Sequence, residues 1–331
     1  MRNYFTYFLL FIALLTTKQG FSQKEDSYFS LFQRRTFYKP FASEISSTLS
    51  KISIGGTKST LLNGDEINST LIEIHMGADM PILYNKNKFC TWQFFMPVSV
   101  HVLWSAFEET TAPIVNNDYR FAFAFAGIKY FNTNNFIKNI SLKITPLAHE
   151  STHLGDEVSI YGLQHVDSFY RVNVSYEYYE LGLTINDPDT IKGNLLSLKF
   201  GFMGLINHKK GYYSLFEDEI GNRTFYKSVR WAEYYFEVNY QKTTGFLTTK
   251  TWHPEISVEF RNRVRYQYEK PGKEERVWCI NAFIGYKFVP RHAKGIESVG
   301  NYFRFYNGIN PYGQFRNIDY RFLGYSFVAF F

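Results

Sequence analysis

From about residue 48 to the C-terminus, side-chain character alternates every second residue, segment after segment. In 168–182, Tyr170, Val172, Val174, Tyr176 and Tyr178 share one face, and Arg171, Asn173, Ser175 and Glu177 share the other. A period of two is the signature of a β-strand whose faces meet different media: lipid and water, or core and water. In 256–266, Ile256, Val258, Phe260, Val264 and Tyr266 fall opposite Ser257, Glu259, Arg261, Arg263 and Arg265, with Asn262 breaking the apolar face. Three arginines in one stripe require acidic partners on adjacent strands. In 277–289 the apolar face reads Trp278, Ile280, Ala282, Ile284, Tyr286 and Phe288.

Further segments of this kind lie near 48–56, 69–78, 89–103, 118–131, 138–151, 194–206, 229–242, 297–308 and 321–331. Together they make about twelve strands, several of about ten residues or more, enough for a tilted strand to cross a bilayer. The alternation slips at Ala126-Gly127, which predicts a bulge there. With a periplasmic N-terminus, the longest linkers, 152–167 and 207–228, both fall outside, and the short 132–137 falls inside. That is the loop asymmetry of outer-membrane barrels, although the inside linker 243–252 is longer than the rule expects.

Composition supports lipid on one side of these strands. Aromatic residues make up 20% of the chain, with 34 Phe and 26 Tyr, yet the mean hydropathy is −0.26. A transmembrane barrel reconciles the two, with aromatic girdles outside and polar side chains in the lumen. Beyond the N-terminus no apolar run reaches the ~18 residues of a spanning helix. The fold expected is all-β, a transmembrane antiparallel β-barrel of about twelve strands. The last strand, with Leu323, Tyr325, Phe327, Ala329 and a terminal Phe331 in step, resembles the recognition signal of outer-membrane barrels. That implies a bacterial outer-membrane location and assembly through the barrel assembly machinery.

Residues 1–22 read as a secretory signal: Arg2, an apolar core from Tyr7 to Leu15, and small residues before Gln23. Residues 23–47 read as a periplasmic lead-in or a plug segment, and 48–331 as the barrel. The net charge is +6, and Arg2 and Lys18 supply two of those charges. Mild basicity without a Lys/Arg run excludes nucleic acid as a partner and suits outer-membrane lipids and lipopolysaccharide. Cys90 and Cys279 are expected free, the first facing outward and the second inward.

One stretch carries candidate chemistry, residues 144–157, Ile-Thr-Pro-Leu-Ala-His-Glu-Ser-Thr-His-Leu-Gly-Asp-Glu. His149-Glu150-Ser151-Thr152-His153 matches H-E-x-x-H, but that zinc motif needs a helix. On a strand, positions four apart are ~13 Å apart, so no metal site is expected. His149 and Ser151, two apart, share a strand face, which sets a base beside a nucleophile. Asn173 is the first candidate to orient the imidazole and Glu177 the second. Strict alternation turns the pair toward the lumen with Lys143 and Thr145, whereas a bulge at Pro146 inverts it. The third reading is a hydrogen-bonded polar network without chemistry, comprising His149, Ser151, His153, Asp156 and Glu157, with Arg171 pairing the acids. Asp156 and Glu157, together with Glu217, Asp218 and Glu219, also offer oxygen ligands for Ca²⁺ at the outer rim. No other cofactor is implied.

The His-x-Ser pair resembles outer-membrane phospholipase A and the outer-membrane lipid A deacylases, which implies a lipid hydrolase with Ser151 as nucleophile and His149 as base. The Asn-Gly that follows the serine in those enzymes is replaced here by Thr152-His153. The run His149 to Glu157, with Asn117 to Arg120 and Arg171 to Ser175, is similar to a Bacteroidota-type outer-membrane family of unknown function. That likeness implies location and no reaction. The leading expectation is therefore a barrel with a filled lumen serving binding, limited transport or envelope structure; the alternative is a lipid hydrolase.

Overall fold

The alternating segments form strands because β-branched and aromatic side chains fill one face of a pleated sheet while short polar and charged ones fill the other. The computed structural model describes residues 28–32, 37–60, 66–87, 90–105, 107, 114–131, 136–154, 171–173, 175–187, 195–206, 214–217, 223–226, 232–249, 251–265, 275–290, 297–312 and 318–331. The expected signal segment 1–22 lies outside them. No helix occurs among the described residues.

The strands are β1 (Tyr28–Leu31), β2 (Ser50–Thr60), β3 (Glu66–Lys86), β4 (Thr91–Trp104), β5 (Ile114–Tyr130), β6 (Asn139–Leu154), β7 (Arg171–Asn173) and β8 (Ser175–Ile185). They continue as β9 (Leu195–Leu205), β10 (Ser214–Glu217), β11 (Arg223–Tyr226), β12 (Ala232–Gln241), β13 (Trp252–Arg265), β14 (Glu275–Phe288), β15 (Ser298–Ile309) and β16 (Asp319–Phe330). Twelve of them, all but β1, β7, β10 and β11, form an antiparallel meander that closes where β16 pairs β2, from Asp319↔Thr60 to Ala329↔Ser50. Closure leaves no sheet edge in lipid. β1 pairs the far end of β3. β7, β10 and β11 form a separate three-stranded sheet within the two longest connections. Every segment read as a strand in the sequence overlaps one of the twelve.

The outer wall is apolar: Ile52, Ile54, Leu142, Leu181, Leu183, Phe200, Ile256, Phe260, Ile284, Phe303 and Leu323 are all exposed. A water-soluble protein does not expose so continuous an apolar surface. The molecule is an integral outer-membrane barrel, with these side chains against acyl chains. Cys90 is exposed and Cys279 buried, and both are free.

Residues 37–49 lie inside the barrel. Phe37 and Tyr38 pack with Tyr84, Phe95, Ala124, Ala126 and Ile128 on one wall. Ala42 and Leu49 pack with Phe283, Tyr302, Val328 and Phe330 on another. The segment's backbone is bonded to the same walls. Ile45 N–H donates to Glu259 (2.6 Å), Asn281 Nδ2 donates to the Ser43 carbonyl (2.6 Å), and Arg120 donates to the Ser46 carbonyl. Glycine makes room for it: a Cβ on Gly182 of β8 would lie 1.8 Å from the Tyr38 hydroxyl oxygen.

Buried ion pairs fill the remaining lumen. Glu180 meets Lys143 (3.0 Å), Arg120 (3.3 Å) and the Tyr235 hydroxyl (2.7 Å). Arg304 pairs with Glu73, which also accepts from Tyr320 (2.8 Å). The arginine stripe of β13 finds the acids it requires: Arg261 meets Glu259 and Glu233, Arg263 meets Glu233, and Arg265 meets Glu275 and Asp319.

Two local expectations are corrected. Ala126 and Gly127 sit in regular register with Lys143 and Leu142, and the irregularity lies between Phe123 and Phe125. Alanine tolerates either face, so it carries no parity signal and blurs the apparent slip. The tyrosine-bearing face of 170–178 also turns inward at its described end: Tyr176 and Tyr178 are buried and Ser175 and Glu177 exposed, while further along the same strand Leu181 and Leu183 supply the outward apolar face.

Candidate functional site

The motif 149–153 lies on β6, so its extended backbone excludes the helical zinc arrangement. Among the described residues no group of three or more metal-binding side chains comes together.

Outward positions on β6 begin regularly with Ile140, Leu142 and Ile144, opposite buried Ser141, Lys143 and Thr145. Pro146 and Leu147 are then both exposed, Ala148 is buried, and the register with β8 shifts between Thr145 and Ala148. This bulge adds one residue and inverts the parity beyond it. Thr152 is buried and donates to Asp118 in the lumen. His149 and Ser151 consequently face outward, not into the lumen as strict alternation requires.

The cross-strand neighbours complete the outward patch. His149 stands between Phe121 of β5 and Glu177 of β8, and Ser151 between Tyr119 and Ser175. His149 Nδ1 lies 3.4 Å from a Glu177 carboxylate oxygen, with the two side chains 42% and 49% exposed. Glu177, the second candidate, thus occupies the orienting position. No hydrogen bond joins Ser151 to His149 among the described residues; with Nδ1 turned to Glu177, Nε2 is the nitrogen left for the serine. The apolar stripe from Ile140 to Leu147 covers ~18 Å of height over seven residue steps on a tilted strand. The polar pair therefore lies at the edge of this apolar stripe, toward the end of β6 at Leu154.

Arg171 and Asn173 lie on β7, which belongs to the separate three-stranded sheet, and their backbone positions stand opposite Glu217 and Leu215 of β10. The backbone of His153 continues β6 opposite Asn117. Asp156, Glu157, Asp218 and Glu219 fall outside the described residues, as does any Ca²⁺ site they would form.

The inward side of the same segment brings together residues that the sequence did not place beside the motif. Glu150 lines a small cavity of about 40 Å³ with Asp118, Arg120, Glu233, Arg261 and Arg263. That is room for a water or two, not a substrate. The signal available in the sequence was the acid content of the strands facing the arginine stripe.

No protein-family model and no curated protein matches the chain. Among solved structures it is similar to the translocator domain of autotransporter NalP from Neisseria meningitidis, at 6% identity and TM-score 0.36, covering 86% of this chain and 89% of that one. It is also similar to the CymD monoaromatic hydrocarbon channel, at 7% identity and TM-score 0.36, covering 85% and 87%. BamA from Haemophilus ducreyi lacking POTRA domains 1–3 follows at 9% identity and TM-score 0.28, covering 96% and 78%. At these scores the likenesses carry no argument about role.

Proposed function

We propose that this protein is an outer-membrane lipid acyl hydrolase working on its membrane-facing wall. The observation that carries the reading is the β6 bulge, which places His149 and Ser151 outward at the rim of the apolar belt with Glu177 against His149 Nδ1. Lipid ester linkages lie at the boundary between acyl chains and headgroups, which is the depth this reading gives the pair. In this reading Glu177 holds the imidazole with Nε2 toward Ser151, and Nε2 accepts the serine proton as Oγ attacks the ester carbonyl. The same nitrogen then protonates the departing alcohol, and water releases the fatty acid from the serine ester. Positions two apart on a strand face the same way, ~6.6 Å apart along it, so a rotamer change brings the ring to the hydroxyl. The likeness to phospholipase A and the lipid A deacylases agrees with an outward-facing pair.

The purified barrel in mixed micelles with phospholipid, and separately with lipopolysaccharide, should release fatty acid. Ser151→Ala should remove the release, and Glu177→Gln should lower its rate ~10- to 100-fold. Equal rates for wild type and Ser151→Ala, or no release from either lipid, would end the enzymatic reading. The second reading, a barrel serving binding or envelope structure, is favoured by the filled lumen and by the missing Ser151–His149 bond. The likeness to the Bacteroidota-type family accords with either reading.

A further inference from the structure

The seam where the barrel closes carries a second feature of the outer wall. Arg321 of β16 stands directly opposite Lys58 of β2, both on the outward face. Like charges facing each other across a strand pair repel and destabilise the pairing. Glu66 takes up part of that charge, with Lys58 Nζ 2.7 Å from its carboxylate. Arg321 uses Nε to donate to Asn307 Oδ1 at 3.0 Å, and its terminal nitrogens have no partner among the described residues. A bare guanidinium fork beside a lysine is a receptor for a tetrahedral oxyanion.

Immediately toward the membrane, the next outward row is apolar and notched. Phe305 and Leu323 are exposed in that row, and Leu323 faces Gly56. A Cβ at Gly56 would meet nothing within 4 Å, so the glycine leaves open space in the wall. Phe107, from the connection after β4, joins Lys58, Arg321, Phe305 and Leu323 in lining a groove of about 780 Å³ there. The row below, with Phe303, Tyr325 and Ile54, continues the apolar surface into the bilayer.

We infer that this groove binds one phosphate-bearing acylated lipid of the leaflet at the loop end of the barrel, with the phosphate between Lys58 and Arg321 and an acyl chain in the notch at Gly56. Charge complementarity selects the headgroup, and the apolar floor selects a lipid over a free anion. The site lies four strands from Ser151 around the barrel and does not depend on hydrolysis.

The test titrates the purified barrel in neutral detergent with lipid A, with lipid A stripped of its phosphates, and with inorganic phosphate, following bound mass by native mass spectrometry. Wild type should retain lipid A, and the Lys58→Gln/Arg321→Gln double variant should bind it at least tenfold more weakly. The stripped lipid should bind wild type no better than lipid A binds the double variant, and millimolar phosphate should not displace lipid A. Gly56→Leu should also weaken binding with unchanged thermal unfolding, because its side chain enters open space. Without lipid, the double variant should unfold no earlier than wild type, since the mutual repulsion is gone. Equal lipid A binding by wild type and double variant, equal binding of the stripped lipid by wild type, or displacement by inorganic phosphate would overturn the assignment.

Discussion

Lys199 shows how much of this barrel's interior rests on single charges. Its ammonium is fully buried, 2.6 Å from Glu44 and over the rings of Phe41 and Tyr38 at 4.4 and 5.0 Å. Glu44 belongs to the segment in the lumen and Lys199 to the wall, so the pair ties one to the other. Removing one partner leaves the other charge buried and uncompensated. Lys199→Met should therefore cost about 3 kcal/mol of stability in a denaturant titration in micelles, and the double variant with Glu44→Gln should recover most of it. An unchanged midpoint for Lys199→Met would show that the tie does not matter. Burial alone would push the Glu44 carboxyl up, but the nearby Lys199 and Lys143 overcome it and hold it below the ordinary carboxylate range. A depressed folded-state value contributes stability that is fully present above the unfolded pKa of ~4.3 and is lost only as pH falls through the lower folded value. Wild type should accordingly show no loss from this group between pH ~7 and ~5, and a decline only below ~4.

At the scale of the element, one extra residue in β6 decides which medium meets the candidate nucleophile. A spin label on a Ser151→Cys variant in proteoliposomes should be accessible to dissolved oxygen, and one on Thr152→Cys should be shielded. Deleting Pro146 restores strict alternation and should exchange the two behaviours. Identical accessibility at both positions, or no exchange on deletion, would remove the bulge from the argument. The strands themselves were legible because each repeats its pattern over ten or so residues, as Trp278 to Phe288 does, so isolated exceptions such as Asn262 do not erase it. The facing of His149 and Ser151 was not legible to the same degree. A bulge leaves a mark only one residue long, and Pro146 marks a candidate position without showing that a bulge forms there. Tyr176 and Tyr178 were ambiguous for another reason. Tyrosine suits lipid with its ring and a polar interior with its hydroxyl, so its parity alone does not tell lumen from bilayer. Residues 37–49 have no period at all, since each side chain answers to a different wall: Tyr38 to the gap at Gly182, Ser43 to Ser257, Glu44 to Lys199.

For the whole molecule, the decisive question is whether ions pass. Twelve strands enclose more space than inward side chains fill by themselves, because the interior widens with strand number while side-chain length does not. Here the surplus is taken up by residues 37–49, whose apolar side chains press on two walls and whose polar groups bond to β5, β9, β13 and β14. Wild type in planar bilayers should therefore show no large steady conductance. Deleting residues 37–46 would bare a corridor lined by Lys143, Lys199, Glu180, Glu237 and Glu259, all buried now and all inward. Charged walls around water make a conducting path, so the deletion should open channels that wild type lacks. The milder triple change Tyr38→Ala, Phe41→Ala and Glu44→Gln, which keeps the backbone but removes its anchors, should give intermittent openings. Heat-modifiable migration in gels would confirm that each variant remains a folded barrel. Steady conductance in wild type would mean that the lumen is not sealed, whereas a silent, folded deletion variant would mean that the wall side chains seal it unaided. Sealing bears on function directly: a barrel that passes nothing through its centre has its outer wall and its two rims to work with, and the His149–Ser151 patch and the seam groove are both on that wall.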